Sequence, residues 1–190
     1  MTNRTIEDPK FLSLLNAINH DDVIAVEQIL TNGNINVNQH LRSEIETPLR
    51  FAVEKENYRI VNLLLEFGAE PEGFLMLVLR DLLEKKSDYN LTESFSKIIN
   101  LLINAGIDLD FKLDTDRTLL MDASLNGALE IVELLVKGGA DVNLVGRRGH
   151  YALMCAAHIQ SQKVFNYLYP LTATHLIDKV IEHYPNIKSS

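Results

Sequence analysis

The chain has 190 residues, of which 46% are hydrophobic and 23% are charged, a balance that is typical of one folded globular domain. Its formal net charge is -8 at pH 7, which argues against a nucleic acid or an anionic membrane as the partner, because both bind basic surfaces. The same charge favours a basic protein partner.

Apolar residues recur at helical spacing along the whole chain, which predicts an all-α fold. The predicted helical segments, in chain order, are 11–18, 26–33, 47–53, 61–68, 74–86, 96–106, 118–124, 132–139, 151–157, 165–172 and 175–184. Asp8-Pro9 and Thr47-Pro48 are typical helix starts, because the oxygen-bearing side chain can accept from a free N–H group and proline suits the first helical position.

Four of these segments align with one another, at spacings of 35, 38 and 33 residues, and a fifth follows without the closing glycine. They are VEQILTNG (26–33), VNLLLEFG (61–68), INLLINAG (99–106), VELLVKGG (132–139) and FNYLYPLT (165–172). Their glycines at 33, 68, 106 and 139 predict helix ends in the left-handed backbone conformation. A period of this length predicts stacked helix pairs.

The third unit departs from this regularity. Gly68 is followed five residues later by Gly73 and an apolar run, so the hairpin between repeats is expected to be missing there. We expect a helix extended to about Lys86 and a mobile loop at 87–94. After Tyr169-Pro170, a last helix at 175–184, started by Thr172 or Thr174, is expected to cap the stack.

The segments ETPLRFAVEKENYRIVNLLLEFGAEPE and RTLLMDASLNGALEIVELLVKGGADVN resemble ankyrin repeats, with a T-P-L-x-x-A helix start, an I-V-x-L-L second helix and a closing G-A-D-x-N. The resemblance implies a helix-pair solenoid with short hairpin loops and a C-terminal capping helix. We therefore predict one domain over 1–190. Its predicted repeats are 8–40, 41–72, 73–110, 111–145 and 146–171, with the capping helix at 172–185.

The resemblance also implies binding of another protein through the hairpin tips and the concave side of the first helices. The contact positions that it implies in the second repeat are Glu44, Glu46, Arg50, Glu54 and Lys55. Those in the fourth are Asp114, Asp116, Arg117, Met121, Leu125 and Asn126. Those in the fifth are Arg147, Arg148, His150, Met154, His158 and Ile159. Met121 and Met154 are anchors if exposed, but they fit packing between repeats equally well.

No residue pattern points to a catalytic, cofactor or metal site, and we expect no enzymatic activity. Cys155 is the single cysteine, which excludes an intrachain disulfide, and its apolar helix predicts a buried packing residue. The segment His20-Asp21-Asp22 fits a helix start better than a metal site. The N-terminal segment MTNRTIEDPK carries acids where a signal peptide is apolar, so we expect a cytoplasmic protein.

Three functions remain open from the sequence. The first is a non-catalytic interaction protein, monomeric alone, that acts as an adaptor or as an inhibitor, for example of a basic toxin or enzyme. The second is an enzyme or small-molecule binder with a pocket at the irregular third repeat. The third is a self-assembling scaffold, since incompletely capped helix stacks expose apolar ends.

Overall fold

A computed structural model describes residues 8–41, 46–71, 75–85, 92–112 and 116–187. Over these residues the chain is all helical and has no strand, which confirms the predicted fold class. The α-helices are α1 (Pro9–Asn19), α2 (Val23–Asn32), α3 (Pro48–Glu54), α4 (Tyr58–Glu66), α5 (Leu75–Lys85), α6 (Glu93–Asn104), α7 (Leu119–Leu125), α8 (Leu129–Lys137), α9 (Ala152–His158), α10 (Gln162–Leu168) and α11 (Thr174–His183). A 3-10 turn at Tyr169–Leu171 precedes α11.

The helix starts of the first two predicted repeats follow the predicted capping chemistry. The Lys10 backbone N–H donates to the Asp8 carboxylate at 2.9 Å, and the Arg50 N–H donates to the Thr47 hydroxyl at 3.2 Å. Asp22 caps α2 by accepting from the Ala25 N–H at 3.0 Å. These bonds satisfy backbone donors that a helix leaves free in its first turn.

The start of α11 differs from the prediction. Ala173 occupies the N-cap position and makes no side-chain capping bond, and Thr174 is already the first helical residue. The Thr172 hydroxyl instead donates to the Leu168 carbonyl oxygen at 2.9 Å. The prediction that Thr172 or Thr174 caps this helix was therefore wrong, because the first bonds back to α10 and the second lies inside α11.

The helix-ending glycines divide into two kinds. Gly68, Gly106 and Gly139 have φ angles of 86°, 84° and 102°, the left-handed conformation that was predicted. Gly33 has φ -106° and ψ 134°, so its predicted left-handed cap was wrong. A Cβ atom at Gly33 would lie 2.5 Å from the Ile29 carbonyl oxygen, so crowding, rather than a positive φ, accounts for glycine there.

The structure divides into two compact units, of which the first comprises Met1–Val78 and Glu93–Gly106. In this unit α1 packs against α2 and α3, while α4 packs against α3, α2 and α6. Large buried side chains such as Phe11, Leu64 and Phe95 fill its core. The Asn38 side chain joins successive loops, because its amide donates to the Gly68 carbonyl and its oxygen accepts from the Glu70 N–H.

The second unit comprises Leu79–Thr92 and Ile107–Ser190. Here α7 packs against α8 and α9, and α9 packs against α10 and α11. Loops about one repeat apart are again joined by side chains: Asp110 accepts from the Asp141 N–H at 2.9 Å, and Asn143 accepts from the Ala173 N–H at 2.7 Å. The buried Tyr151 hydroxyl donates to the Leu176 carbonyl at 2.6 Å and fixes α11 to the last repeat.

The middle of the chain only partly follows the sequence expectation. The predicted long apolar helix is α5, which ends at Lys85, while Lys86 lies outside the described residues. Of the predicted loop at 87–94, residues 87–91 also lie outside them, and Glu93 and Ser94 belong to α6. The predicted loop therefore extended too far. Glu93 and Lys97 form an i,i+4 ion pair at 2.7 Å that stabilises the first turn of α6.

Candidate functional site

The described contact positions of the second repeat lie on α3 or directly beside it. Glu44 lies outside the described residues, and Glu46 is half-buried just before the helix. The Arg50 Nε–H donates to Glu54 Oε1 at 2.8 Å, and Glu54 and Lys55 are exposed at the end of the helix. This stretch presents a mixture of charges with one partly exposed ion pair.

The loops before α7 and α9 meet through Asp116 and Arg147. The Asp116 carboxylate accepts from the Arg147 backbone N–H, and its Oδ1 lies 3.4 Å from the Arg147 Nε. The hydrogen bond from the Arg147 backbone holds the pKa of the Asp116 carboxyl below its usual value. A Cβ atom at Gly146 would lie 2.6 Å from the Asp116 carbonyl oxygen, so only glycine allows this close approach.

The basic side chains at this tip reach solvent. The Arg147 side chain is 90% exposed, Arg148 is also exposed, and His150 is half-buried. Asp114, a predicted contact position of the fourth repeat, lies outside the described residues. Because Asp116 accepts from the backbone N–H of Arg147, the position of the tip is fixed while its two arginine side chains stay exposed to solvent.

A second arginine position is fixed by a buried carboxylate. The Arg117 Nε lies 2.5 Å from Asp122 Oδ1; the Asp122 side chain is 2% exposed and the Arg117 side chain 26% exposed. The Asn126 side-chain amide donates to the Asp122 carbonyl oxygen at 2.9 Å, so three residues of this repeat are linked. A buried carboxylate needs such a partner, because desolvation of an unpaired charge is costly.

Asp122 itself was not among the predicted residues. The available signal was an acidic residue inside the apolar helix segment TLLMDAS, five positions after an arginine. A charge at a core position of an amphipathic helix requires a nearby opposite charge, and Arg117 was the nearest candidate in sequence.

The apolar contact positions differ in their exposure. Met121 is 1% exposed, so its side chain belongs to the core and is not available as a surface anchor. The sequence left open whether Met121 is a surface anchor or packs between repeats, and its burial favours packing. Met154 and Leu125 are half-buried, and Ile159 is 38% exposed beside Gly127 at the end of α7.

The remaining contact position, His158, faces the C-terminal cap. Its Nδ1 lies 3.1 Å from the Tyr184 hydroxyl, and the two rings are arranged edge to face with centroids 6.3 Å apart. His158 is exposed nonetheless. Besides the arginine-bearing tip, the second unit thus has four exposed or half-buried contact positions on α7, on α9 or directly after α9: Leu125, Met154, His158 and Ile159. We call these residues, together with Arg117, Arg147 and Arg148, the α7–α9 face.

Acid–base or nucleophilic chemistry finds little support in the described residues. Burial raises the pKa of the Cys155 thiol to about 12, so the reactive thiolate is scarce at neutral pH. The described residues include no cluster of three or more His, Cys, Asp or Glu side chains suited to a metal ion. Among the helices that the structure describes, none is long and apolar enough to cross a membrane.

Comparison with protein families gives two matches. A model of ankyrin repeats in three copies matches residues 81–179, just over half of the chain, and a model of the single ankyrin repeat matches residues 46–72. The second match covers α3 and α4, and the first runs from α5 into α11. Repeats of this family mediate binding to other proteins and are generally non-catalytic.

Similar proteins include two ankyrin repeat proteins of fowlpox virus (strain NVSL). One is 29% identical over 135 residues, which is 68% of this chain and 29% of that protein, and the other is 33% identical over 99 residues, or 51% and 21%. The matched parts thus span less than a third of either viral protein. The Notch-regulated ankyrin repeat-containing protein of Xenopus tropicalis is 32% identical over 77 residues, covering 40% of this chain and 68% of that protein.

Proposed function

Because this chain belongs to the ankyrin repeat family, we propose that it is a non-catalytic interaction protein that binds a partner through the α7–α9 face, as an adaptor or an inhibitor. The observation that carries this proposal is the combination of fixed arginines with exposed apolar side chains. Asp116 holds the loop of Arg147 and Asp122 holds Arg117, while the half-buried Met154 lies on α9 and the exposed Ile159 directly follows that helix.

This combination favours protein binding for a physical reason. Arginine and methionine are enriched in protein interfaces, and binding energy concentrates in a few well-positioned side chains. A side chain that is already held in place loses less conformational freedom on binding. Arg117 therefore needs less ordering than a free surface arginine, and the tip of Arg147 and Arg148 is carried on a fixed backbone.

The charge of the face differs from the charge of the chain. The net charge of -8 favours the long-range approach of a basic partner, which supports the hypothesis that the chain inhibits a basic protein. The α7–α9 face itself carries three arginines, and among the described residues the carboxylates that pair with them are Asp116, with Arg147, and Asp122, with Arg117. We therefore propose that the patch of the partner that meets this face is acidic, whatever the net charge of the partner.

Affinity capture with matched charge variants tests the proposal. The bait is the intact protein, and the extract comes from cells that naturally contain it. The variant Arg147→Glu/Arg148→Glu is expected to lose the partner, while Lys163→Glu/Lys179→Glu, the same charge change on exposed lysines of α10 and α11, is expected to retain it. Far-UV circular dichroism checks that both variants keep their helices. Equal retention by the two variants would contradict the proposed face.

A further inference from the structure

A groove of about 520 Å³ lies on the second helices of the first unit, and it shares no lining residue with the α7–α9 face. Its lining comes from α2, α4 and α6, and α4 packs against both of the others. The half-buried side chains of Val23, Leu63 and Leu101 give it an apolar surface. This volume lies in the range of small-molecule sites, which are mostly apolar with a few polar groups directed into them.

Two cations meet over one tyrosine in this groove. The Lys97 Nζ lies 4.6 Å from the centroid of the Tyr58 ring, and the Arg59 Nε–H donates to the Tyr58 hydroxyl at 3.4 Å. The hydrogen bond from Arg59 is the largest cause of the lowered pKa of Tyr58, and the charges of Lys97 and Arg59 act in the same direction. The geometry thus places two positive charges beside one phenol ring on this side of the groove.

The cations are only partly balanced by carboxylates. Lys97 pairs with Glu93 at 2.7 Å, but the Glu93 side chain is 84% exposed, so solvent screens the pair. Arg59 has no carboxylate partner among the residues that the structure describes. Glu27, which also lines the groove, belongs to α2, whereas Lys97 belongs to α6. The negative charge of Glu27 and the positive charge of Lys97 thus come from different helices, and α4 packs against both of them.

Neutral donors add to the cations. Asn100 and Asn104 on α6 line the groove and are exposed, and within the described part of the chain their side-chain amides have no hydrogen-bond partner. An anionic group beside Arg59 and Lys97 could accept from these amides as well, and charge-assisted hydrogen bonds are stronger than neutral ones. The groove therefore offers donors at its α6 wall and an apolar surface beside them.

We propose that this groove binds a small organic acid, with its carboxylate between Arg59 and Lys97 and its apolar body against Leu63 and Leu101. The anion relieves the repulsion between two like charges that share one tyrosine, while the apolar body is removed from water. This site uses none of the residues of the α7–α9 face, so it is independent of the proposed protein-binding function.

The test uses 4-phenylbutyrate and its uncharged analogue 4-phenylbutyramide, titrated into the intact isotope-labelled protein and followed by NMR. The acid is expected to shift the signals of residues 58–63 and 97–104, with a dissociation constant of roughly 1 mM for a ligand of this size. The amide, which has the same shape without the charge, is expected to bind at least about tenfold more weakly.

Variants locate the charge requirement. Arg59→Gln and Lys97→Gln are each expected to weaken binding of the acid severalfold, whereas Lys10→Gln, an exposed lysine of the same unit outside the groove, is expected to leave it unchanged. Arg59 and Lys97 both lie on the surface of their helices. NMR signals that stay unchanged outside the groove show that the Arg59→Gln and Lys97→Gln variants remain folded.

Three results would overturn the proposal. The first is equal affinity for the acid and the amide, which would leave only an apolar contact. The second is an absence of shifts at 58–63 and 97–104 up to 10 mM acid, roughly ten times the expected dissociation constant. The third is at least tenfold tighter binding at the same residues by the peptide acetyl-Glu-Leu-Phe-Glu-amide, which would make a protein segment the occupant.

Discussion

Helix α3 of the first unit and helix α7 of the second are the first helices of their repeats, and they carry different residue types at the same repeat position. In the aligned starts TPLRFAV and TLLMDAS, Phe51 of α3 corresponds to Asp122 of α7. Phe51 is a half-buried apolar side chain, and the neighbouring Arg50 pairs with the exposed Glu54 on its own helix. Asp122 is buried and fixes Arg117 instead. The first helix of a repeat can thus carry an exposed ion pair or a buried carboxylate, and only the buried carboxylate holds its arginine from inside the core.

Truncating the buried carboxylate is expected to have the largest effect on stability. Asp122→Ala removes the partner of Arg117 from a buried position, and breaking such a pair costs about 3 kcal/mol of the free energy of unfolding. The matched change in the first unit, Glu54→Ala, breaks the exposed Arg50–Glu54 pair and is expected to cost about 0.5 kcal/mol or less. Urea denaturation measures both, and equal losses would remove the distinction between the two units.

Alkaline pH is expected to weaken the second unit next. Burial raises the pKa of Cys155 to about 12 from an ordinary value of 9.0, so the folded thiol keeps its proton at a pH where the unfolded thiol loses it. Stability is therefore full below pH 9 and is lost as the pH rises towards 12, by about 1.4 kcal/mol per pH unit for this group. Burial also raises the pKa of Tyr151 to about 12 from an ordinary value of 10.0, so this residue adds to the loss of stability above pH 10.

Removing the thiol isolates its part in this pH dependence. Cys155→Ala is expected to flatten the fall in the free energy of unfolding between pH 9 and pH 10, while the contribution of Tyr151 at higher pH remains. Urea denaturation at a series of pH values measures the slope. A slope that is the same with and without the thiol would show that Cys155 is not the group responsible.

Glycine substitutions are expected to have smaller and equal effects in the two units. Gly68→Ala and Gly139→Ala each place a Cβ atom in a left-handed conformation with no other atom within 4 Å, so backbone strain of about 1 kcal/mol is the whole expected cost. Asparagine tolerates this conformation better, so Gly68→Asn and Gly139→Asn should cost less than the alanine variants. Thermal denaturation compares the four, and an alanine variant as stable as the wild type would contradict the strain argument.

The sequence predicted the parts of the fold that depend on neighbours along the chain. Helical apolar spacing, Asp8-Pro9, Thr47-Pro48 and three of the four repeat-ending glycines were sufficient to predict helix pairs and many of their ends. The errors occurred where a residue had a second option. Thr172 bonds back to Leu168 instead of capping α11, and Gly33 is explained by crowding against Ile29.

The candidate sites could be predicted only in part. The family pattern marks which positions face outwards, but it does not state that Met121 is in the core or that Arg117 is held by Asp122. The sequence left open a pocket at the irregular third repeat but could not specify the residues of the groove, because Tyr58 and Lys97 come together only when α4 packs against α6. Both features depend on how one helix meets the next, which a one-dimensional pattern does not contain.

The central claim, that a partner protein contacts the α7–α9 face, is tested most directly by site-specific photo-cross-linking. A benzoylphenylalanine is placed at Arg148 or at His158 on the face, and at Lys163 on α10 as the control, since all three positions are exposed. We predict an adduct of one discrete mass from positions 148 and 158 and none from 163. An adduct from position 163 alone, or equal adducts from all three positions, would contradict the claim.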